Sequence, residues 1–187
     1  FTIIEDIPYD RPYTTMAPFE MCSECASEYE DPLDRRFHAQ PVACPVCGPQ
    51  IWLEVEGESV AEREEALQTA RRYLKEGKVL AIKGLGGFHL ACDASNPDAV
   101  ATLRRRKLRV DKPFALMMPD LEAVEAHCYV DDTERALLIS RERPIVILHR
   151  RPESDIAAEV APQQDTLGVM LPYTPLHVLL MVRSGAF

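Results

Sequence analysis

Two Cys-x-x-Cys pairs, Cys22/Cys25 and Cys44/Cys47, stand eighteen residues apart and constrain this chain more than any other feature. A tight turn inside each pair lets both sulfurs point inward at about 2.3 Å from a zinc ion, and two such knuckles complete a tetrahedron. Free thiols or a redox pair are the alternatives. Two pairs at this spacing, without a strand-and-helix pattern around them, favour a structural zinc site. His38 lies between the knuckles and is available as a ligand, yet four thiolates already fill the shell. Closed coordination makes the metal a scaffold for a segment poor in apolar residues, not a catalyst. The charged stretch from Glu28 to His38 reads either as a solvated loop ordered by the metal or as a docking face for another domain or protein.

At 187 residues and 47% hydrophobic, the chain can hold one ordinary domain beside a small one. Its net charge of -9 argues against indiscriminate nucleic-acid binding. Apolar runs such as Val178 to Val182 fall far short of the roughly 20 residues that span a bilayer. The acidic start is unlike a secretory leader, and six cysteines without an export signal suggest a reducing, cytoplasmic setting. A chain that begins at Phe1 and stops at Phe187 directly after a helix-like segment is expected to be a piece of a longer protein.

Pro8, Pro12 and Pro18 make residues 1–20 an extended lead-in. Ser59 and Glu62 have capping-box spacing, and Ala66, Leu67, Ala70 and Leu74 recur at helical intervals until Gly77. Strands are expected over Lys78 to Lys83 and Phe88 to Cys92. Asn96-Pro97-Asp98 opens a helix to about Leu108. The apolar run Phe114 to Met118 follows. Asp120 caps a helix to His127, and Asp132 or Thr133 caps another to Ser140. Strands over Ile145 to Leu148 and Leu167 to Leu171 precede a helix from Thr174-Pro175 to about Arg183. This alternation predicts an α/β (α+β) chain: a zinc module over 1–55, then an open, twisted mixed sheet with flanking helices over 56–187.

The chemistry centres on Gly77 to Met118. An apolar strand delivers Lys83 to Gly84, Gly86 and Gly87, and Arg104, Arg105, Arg106, Lys107, Arg109 and Lys112 place six cations in nine residues. The glycines match neither a dinucleotide fingerprint nor a P-loop. Lys83 before the loop and Lys107, Arg109 and Lys112 after the next helix can converge on one phosphate chain. Arg104 to Arg106 have a plainer reading as a solvated helix end favoured by the macrodipole. His89 is either a base or substrate contact, or a packed strand histidine. Cys92, Cys128 and His177 read as buried structural residues.

Seven stretches now carry a resemblance. Cys22-Ser23-Glu24-Cys25, Glu30 to Pro41 and Ala43 to Pro49 resemble the second zinc finger of the HypF carbamoyltransferases of nickel-iron hydrogenase maturation. Ala81 to Ala94, Lys107-x-Arg109-x-x-Lys112-Pro113, Arg143-Pro144-Ile145-Val146 and Leu171 to His177 resemble the same family's YrdC-like domain. The resemblance implies use of ATP, with Mg2+, and carbamoyl phosphate to form carbamoyl adenylate, then transfer to the C-terminal cysteine of HypE. It places nucleotide and phosphate binding on Lys83, Gly84, Lys107, Arg109 and Lys112, with Arg143 and His89 as lesser candidates. It also implies acylphosphatase and transfer domains that this chain lacks, and the chain stops before the Ser-Gly-Asn-type segment of YrdC-like domains. These 187 residues alone are therefore expected to turn over carbamoyl phosphate poorly or not at all. Two other classes stay open: an RNA-binding module, which a steep salt dependence would reveal, and a non-catalytic docking module. The run from Arg104 to Lys112 has none of the interleaved aromatics expected of the former.

Overall fold

The computed structural model describes residues 2–84 and 86–181 and divides into two compact units, Phe1–Arg63 and Glu64–Phe187. In the first unit the proline-rich lead-in is tied down by an arginine. Arg11 is buried, and its guanidinium donates to the carbonyls of Gln40 (2.8 Å), Val42 (2.7 Å) and Phe19 (2.8 Å). Tyr29 adds its hydroxyl to Asp10 and Gln40 at 3.1 and 3.0 Å. These bonds order loops that bury little apolar surface. Helix α1, Ser23–Glu30, starts directly after Cys22, its N-cap.

Strands β1, Trp52–Val55, and β2, Glu58–Glu62, pair antiparallel about the Glu56-Gly57 turn. Both turn residues have positive φ, as a two-residue hairpin requires. This overturns the capping-box expectation at Ser59. Ser59 is held in the ladder opposite Glu54, and the helix begins later, as α2, Arg63–Lys75. The two-residue Glu56-Gly57 hairpin turn competes successfully with a cap that spacing alone suggested.

In the second unit α2 presents Ala66, Leu67, Ala70 and Leu74 to the interior and closes at Gly77, φ 78. There the N–H groups of Gly77 and Lys78 return to the carbonyls of Leu74 and Tyr73, the paired bonds of a Schellman end. Strands β3, Leu80–Lys83, and β4, Phe88–Ala91, form an antiparallel hairpin. Leu85, in the expected glycine loop, lies outside the described residues. Helix α3, Pro97–Arg106, is capped by Asn96, whose side chain accepts from the N–H groups of Asp98 and Ala99.

A separate three-stranded sheet has the order β5-β7-β6: β5, Ala115–Met117, runs parallel to β7, Thr166–Met170, and β6, Val146–His149, antiparallel to it. Between β5 and β6 come α4, Leu121–His127, capped by Asp120, and α5, Asp132–Ile139. The α5 cap is Asp131 in a full capping box with Glu134, one residue before the expected Asp132. Helix α6 covers Pro175–Met181, and Arg183, its expected end, lies outside the described residues. The expected α/β architecture is present, as small sheets: among the described residues the β3-β4 hairpin is not bonded into the β5-β7-β6 sheet. Leu116, Val124, Leu138, Leu148, Leu167 and Val169 form the centre of the core. Each buried leucine there contributes roughly 1.5–3 kcal/mol. Among the described residues no helix is long and apolar enough to cross a membrane.

Candidate functional site

The sulfur atoms of Cys22, Cys25, Cys44 and Cys47 all lie within 4.8 Å of one another. The Cys22–Cys44 and Cys44–Cys47 separations are both 3.7 Å. A tetrahedron with metal–sulfur bonds of about 2.3 Å has edges of about 3.8 Å, so the donor set fits zinc. The backbone prepares the thiolates. Peptide N–H groups at Cys22 and then Cys44 hold the Cys47 thiol down to about 6, and those at Cys47 and Val46 lower that of Cys44. Burial, with the three neighbouring thiols, pushes Cys25 up to about 12. Gathering all four as thiolates thus calls for a central cation. His38 is outside this group; its ring meets those of Tyr29 and Phe37 at 5.0 and 4.5 Å. The charged loop is ordered by Arg36, which donates to Glu28 at 2.6 Å.

The second unit holds a cavity of about 270 Å³. Its lining brings together His89 from β4, Lys107 and Arg109 from the turn after α3, and His177 from α6, on walls that include Leu103, Leu116 and Met170. His89 Nε2 and the Tyr173 hydroxyl are 3.2 Å apart. His177 is buried, and burial and then the nearby His89 hold its protonation below the ordinary histidine range. Among the described residues its Nδ1 has no hydrogen-bond partner. Cys92 also lines the cavity, while Cys128 is buried in the core; burial pushes both thiols up to about 11, as suits unreactive packing groups.

The other sequence candidates stand apart from this lining. Lys83 is exposed, its ammonium 5.0 Å from the centre of the Phe88 ring. Gly84 is pressed by His89: a Cβ there would come within 2.5 Å of the imidazole, so the glycine makes room for the histidine. Arg143 donates to the Leu138 carbonyl at 3.2 Å. Lys112 offers its carbonyl to Arg104 at 3.3 Å.

Arg104 is the residue that sequence reasoning missed. It is no solvated helix end. Its Nε and Nη2 donate to the Glu159 carbonyl at 3.0 and 2.6 Å, and its Nη1 lies 3.2, 3.0 and 3.3 Å from the carbonyls of Arg109, Val110 and Lys112. The guanidinium also sits 4.7 Å from the Phe114 ring centre, and that of Arg109 lies 5.2 Å from the same ring. One side chain therefore fastens the turn carrying Lys107, Arg109 and Lys112. The turn begins with a second Schellman end, in which Leu108 and Arg109 donate to the carbonyls of Arg105 and Arg104. Here the left-handed position is filled by Leu108, φ 50 and 90% exposed. A branched residue costs about 1 kcal/mol there relative to glycine. Leu108→Gly is expected to stabilise the chain by about that amount, seen as a higher melting temperature; a lower one would refute the strain.

Comparison with known proteins supplies the family. Residues 72–187 match the Sua5/yciO/yrdC family, described as telomere recombination, and residues 21–54 match the HypF finger. A carbamoyltransferase HypF of Rhodobacter capsulatus is 54% identical over 99% of this chain, which spans 24% of that relative. The crystal structure of T. kodakarensis HypF superposes with a TM-score of 0.86 at 47% identity, covering 100% of this chain and 24% of that one. A full-length HypF in its phosphate- and nucleotide-bound form gives 0.78 at 52% identity, covering 96% and 23%. The chain thus spans about a quarter of the relatives it matches. A HypF-type four-cysteine finger is here joined to a YrdC-like domain, and the chain belongs to the Sua5/yciO/yrdC family.

Proposed function

We propose that the chain is the finger and the adenylate-forming part of a HypF carbamoyltransferase. The cavity lined by Lys107, Arg109 and His89 binds ATP and the carbamate derived from carbamoyl phosphate. A carbamate oxygen attacks the α-phosphorus, the new P–O bond forms as the α–β bridging bond breaks, and pyrophosphate leaves. Carbamoyl adenylate remains for transfer to the HypE C-terminal cysteine by a domain beyond this chain. The reaction asks the protein mainly for positioning and charge neutralisation. Arg109 offers a planar fork and Lys107 a mobile point charge, both placed by the Arg104 clamp. Mg2+ carried in with the nucleotide would supply further countercharge on the phosphates; among the described residues no carboxylate lines the cavity. The exposed Lys83 and Lys112 reach outer phosphates, and Gly84 serves the site by seating His89. Zinc on the four cysteines is a structural cofactor.

The carrying observation is the convergence of Lys107, Arg109 and His89 on one cavity. The nucleotide-bound state of a relative 52% identical supports the same reading. Calorimetry with ATP tests it. Replacing Lys107 and Arg109 together by alanine removes two charge-assisted contacts worth about 1.5–3 kcal/mol each and should weaken binding at least 100-fold. Equal affinity in the double variant would remove the assignment. The finger supports a docking role beside this one, because Leu33 is 96% and Val46 73% exposed on it.

A further inference from the structure

The hairpin β1-β2 turns one face inward and leaves the other without a partner. Opposite residues of an antiparallel pair share a face, and so do residues two apart on one strand. Leu53 and Ala61 are paired, and Ala61 is buried. The other face carries Trp52 opposite Glu62 and Glu54 opposite Ser59, and each of these side chains is exposed. Trp52 is the chain's single tryptophan and is 59% exposed. Its indole N–H donates to Glu54 Oε1 at 2.6 Å, which anchors the ring on the strand. From Trp52 to Glu62 the hairpin holds Glu54, Glu56, Glu58 and Glu62 and no arginine, lysine or histidine. Among the described residues none of these carboxylates takes part in an ion pair.

We propose that this face docks a separate protein through an arginine or lysine side chain, which lies over the Trp52 ring and meets the carboxylates of Glu54 and Glu62. Charge selects the occupant. Uncompensated glutamates repel nucleic acid and anionic lipid, whereas a cation is attracted both by the carboxylates and by the negative face of an indole, the best aromatic partner for it. The bond to Glu54 fixes the ring before binding, so little side-chain freedom is lost on contact. A permanently covered face would be apolar, as obligate interfaces are. One aromatic anchor ringed by unpaired charge instead suits a partner that arrives by electrostatic attraction and leaves again. That partner is basic at its contact, and its binding weakens with salt.

The single tryptophan makes the site its own reporter. The probes are acetyl-Val-Arg-Val-Arg-Val-amide and the same peptide with citrulline, an uncharged isostere, in place of each arginine. Followed by Trp52 fluorescence on the zinc-loaded chain, the arginine peptide should bind about tenfold tighter at low salt. High salt should erase most of that advantage. In Glu54→Gln/Glu62→Gln it should fall below about threefold, while glutamine still accepts from the indole and keeps the ring in place. Trp52→Leu, followed by calorimetry, should lose the advantage as well. If that variant unravels the hairpin, the double glutamine variant decides, since both of its substitutions are exposed and nearly isosteric. Equal affinity for the two peptides, or an advantage that survives in the double variant, overturns the proposal. Hydroxyl-radical footprinting of Trp52 reads out the other occupants. Protection that rises with protein concentration assigns the face to a second copy, and protection in the full-length protein but not in this chain assigns it to another domain of the same polypeptide. Either result overturns docking of a separate protein; equal oxidation in all three states sustains it.

Discussion

A Cys25→Ser chain is expected to lose its zinc and, with it, the folded state of the first unit. The buried hydrophobic side chains of that unit are only Met16, Cys25, Val42 and Ala61 among the described residues, too few to hold some sixty residues together without a staple. Structural zinc contributes an apparent 10–16 kcal/mol in small finger domains, comparable to the whole stability of an ordinary domain. Cys25 is 1% exposed, so the serine hydroxyl would be a poor ligand in a buried position. Metal analysis should give about one zinc per wild-type chain and close to none in the variant. Amide NMR should show the resonances of residues 2–62 collapsing toward unfolded shifts. A chelator should do the same to wild type, more readily in acid, because protons compete for the four thiolates. A metal-free variant that keeps those resonances dispersed would show that Arg11 and Tyr29, not the metal, hold the unit.

Arg104→Ala should be the most damaging single change around the cavity even though its guanidinium is engaged by the chain's own carbonyls. Removing it strands the carbonyls of Glu159, Arg109, Val110 and Lys112 and frees the turn that places Lys107 and Arg109. A stability loss of about 2–4 kcal/mol is expected, since bonds from a charged donor contribute about 1.5–3 kcal/mol each and some of these carbonyls regain water. ATP affinity should fall at least tenfold, through lost placement of the two cations. Arg104→Lys should not rescue it, because an ammonium cannot span carbonyls on both sides of the turn as a planar fork does. Thermal unfolding and calorimetry on both variants check this. A lowered melting temperature with unchanged ATP affinity would mean the cations need no clamp.

What could be read from the sequence and what could not divides along a physical line. The cysteine knuckles, the Asn96 cap and the Gly77 helix end are local: a residue type with one dominant use at that position announces them. The end of α3 is the same device as the end of α2, but Leu108 stands where Gly77 stands, so the sequence carried the helix to Leu108 whereas it closes at Arg106. Ser59 shows the reverse error, a valid cap spacing outcompeted by a hairpin. Arg11 and Arg104 were opaque because sequence reports their charge, while their partners include carbonyl oxygens 29 to 31 and 55 residues away. The sequence grouped Lys107 and Arg109 with Lys83 and Lys112, whereas the cavity lining joins them to His89 and His177, which depends on where β4 and α6 come to rest, and no spacing rule encodes that.

The Arg104 clamp touches the turn only through backbone oxygens. Nothing in that fastening depends on which side chains stand at positions 109, 110 and 112, since every residue there supplies the same carbonyl. The turn is thus a shape inherited separately from its contents. Mutation can exchange the anion-facing residues one at a time, and descent can explore new ligands, while a single arginine outside the exchanged set keeps the backbone where it was.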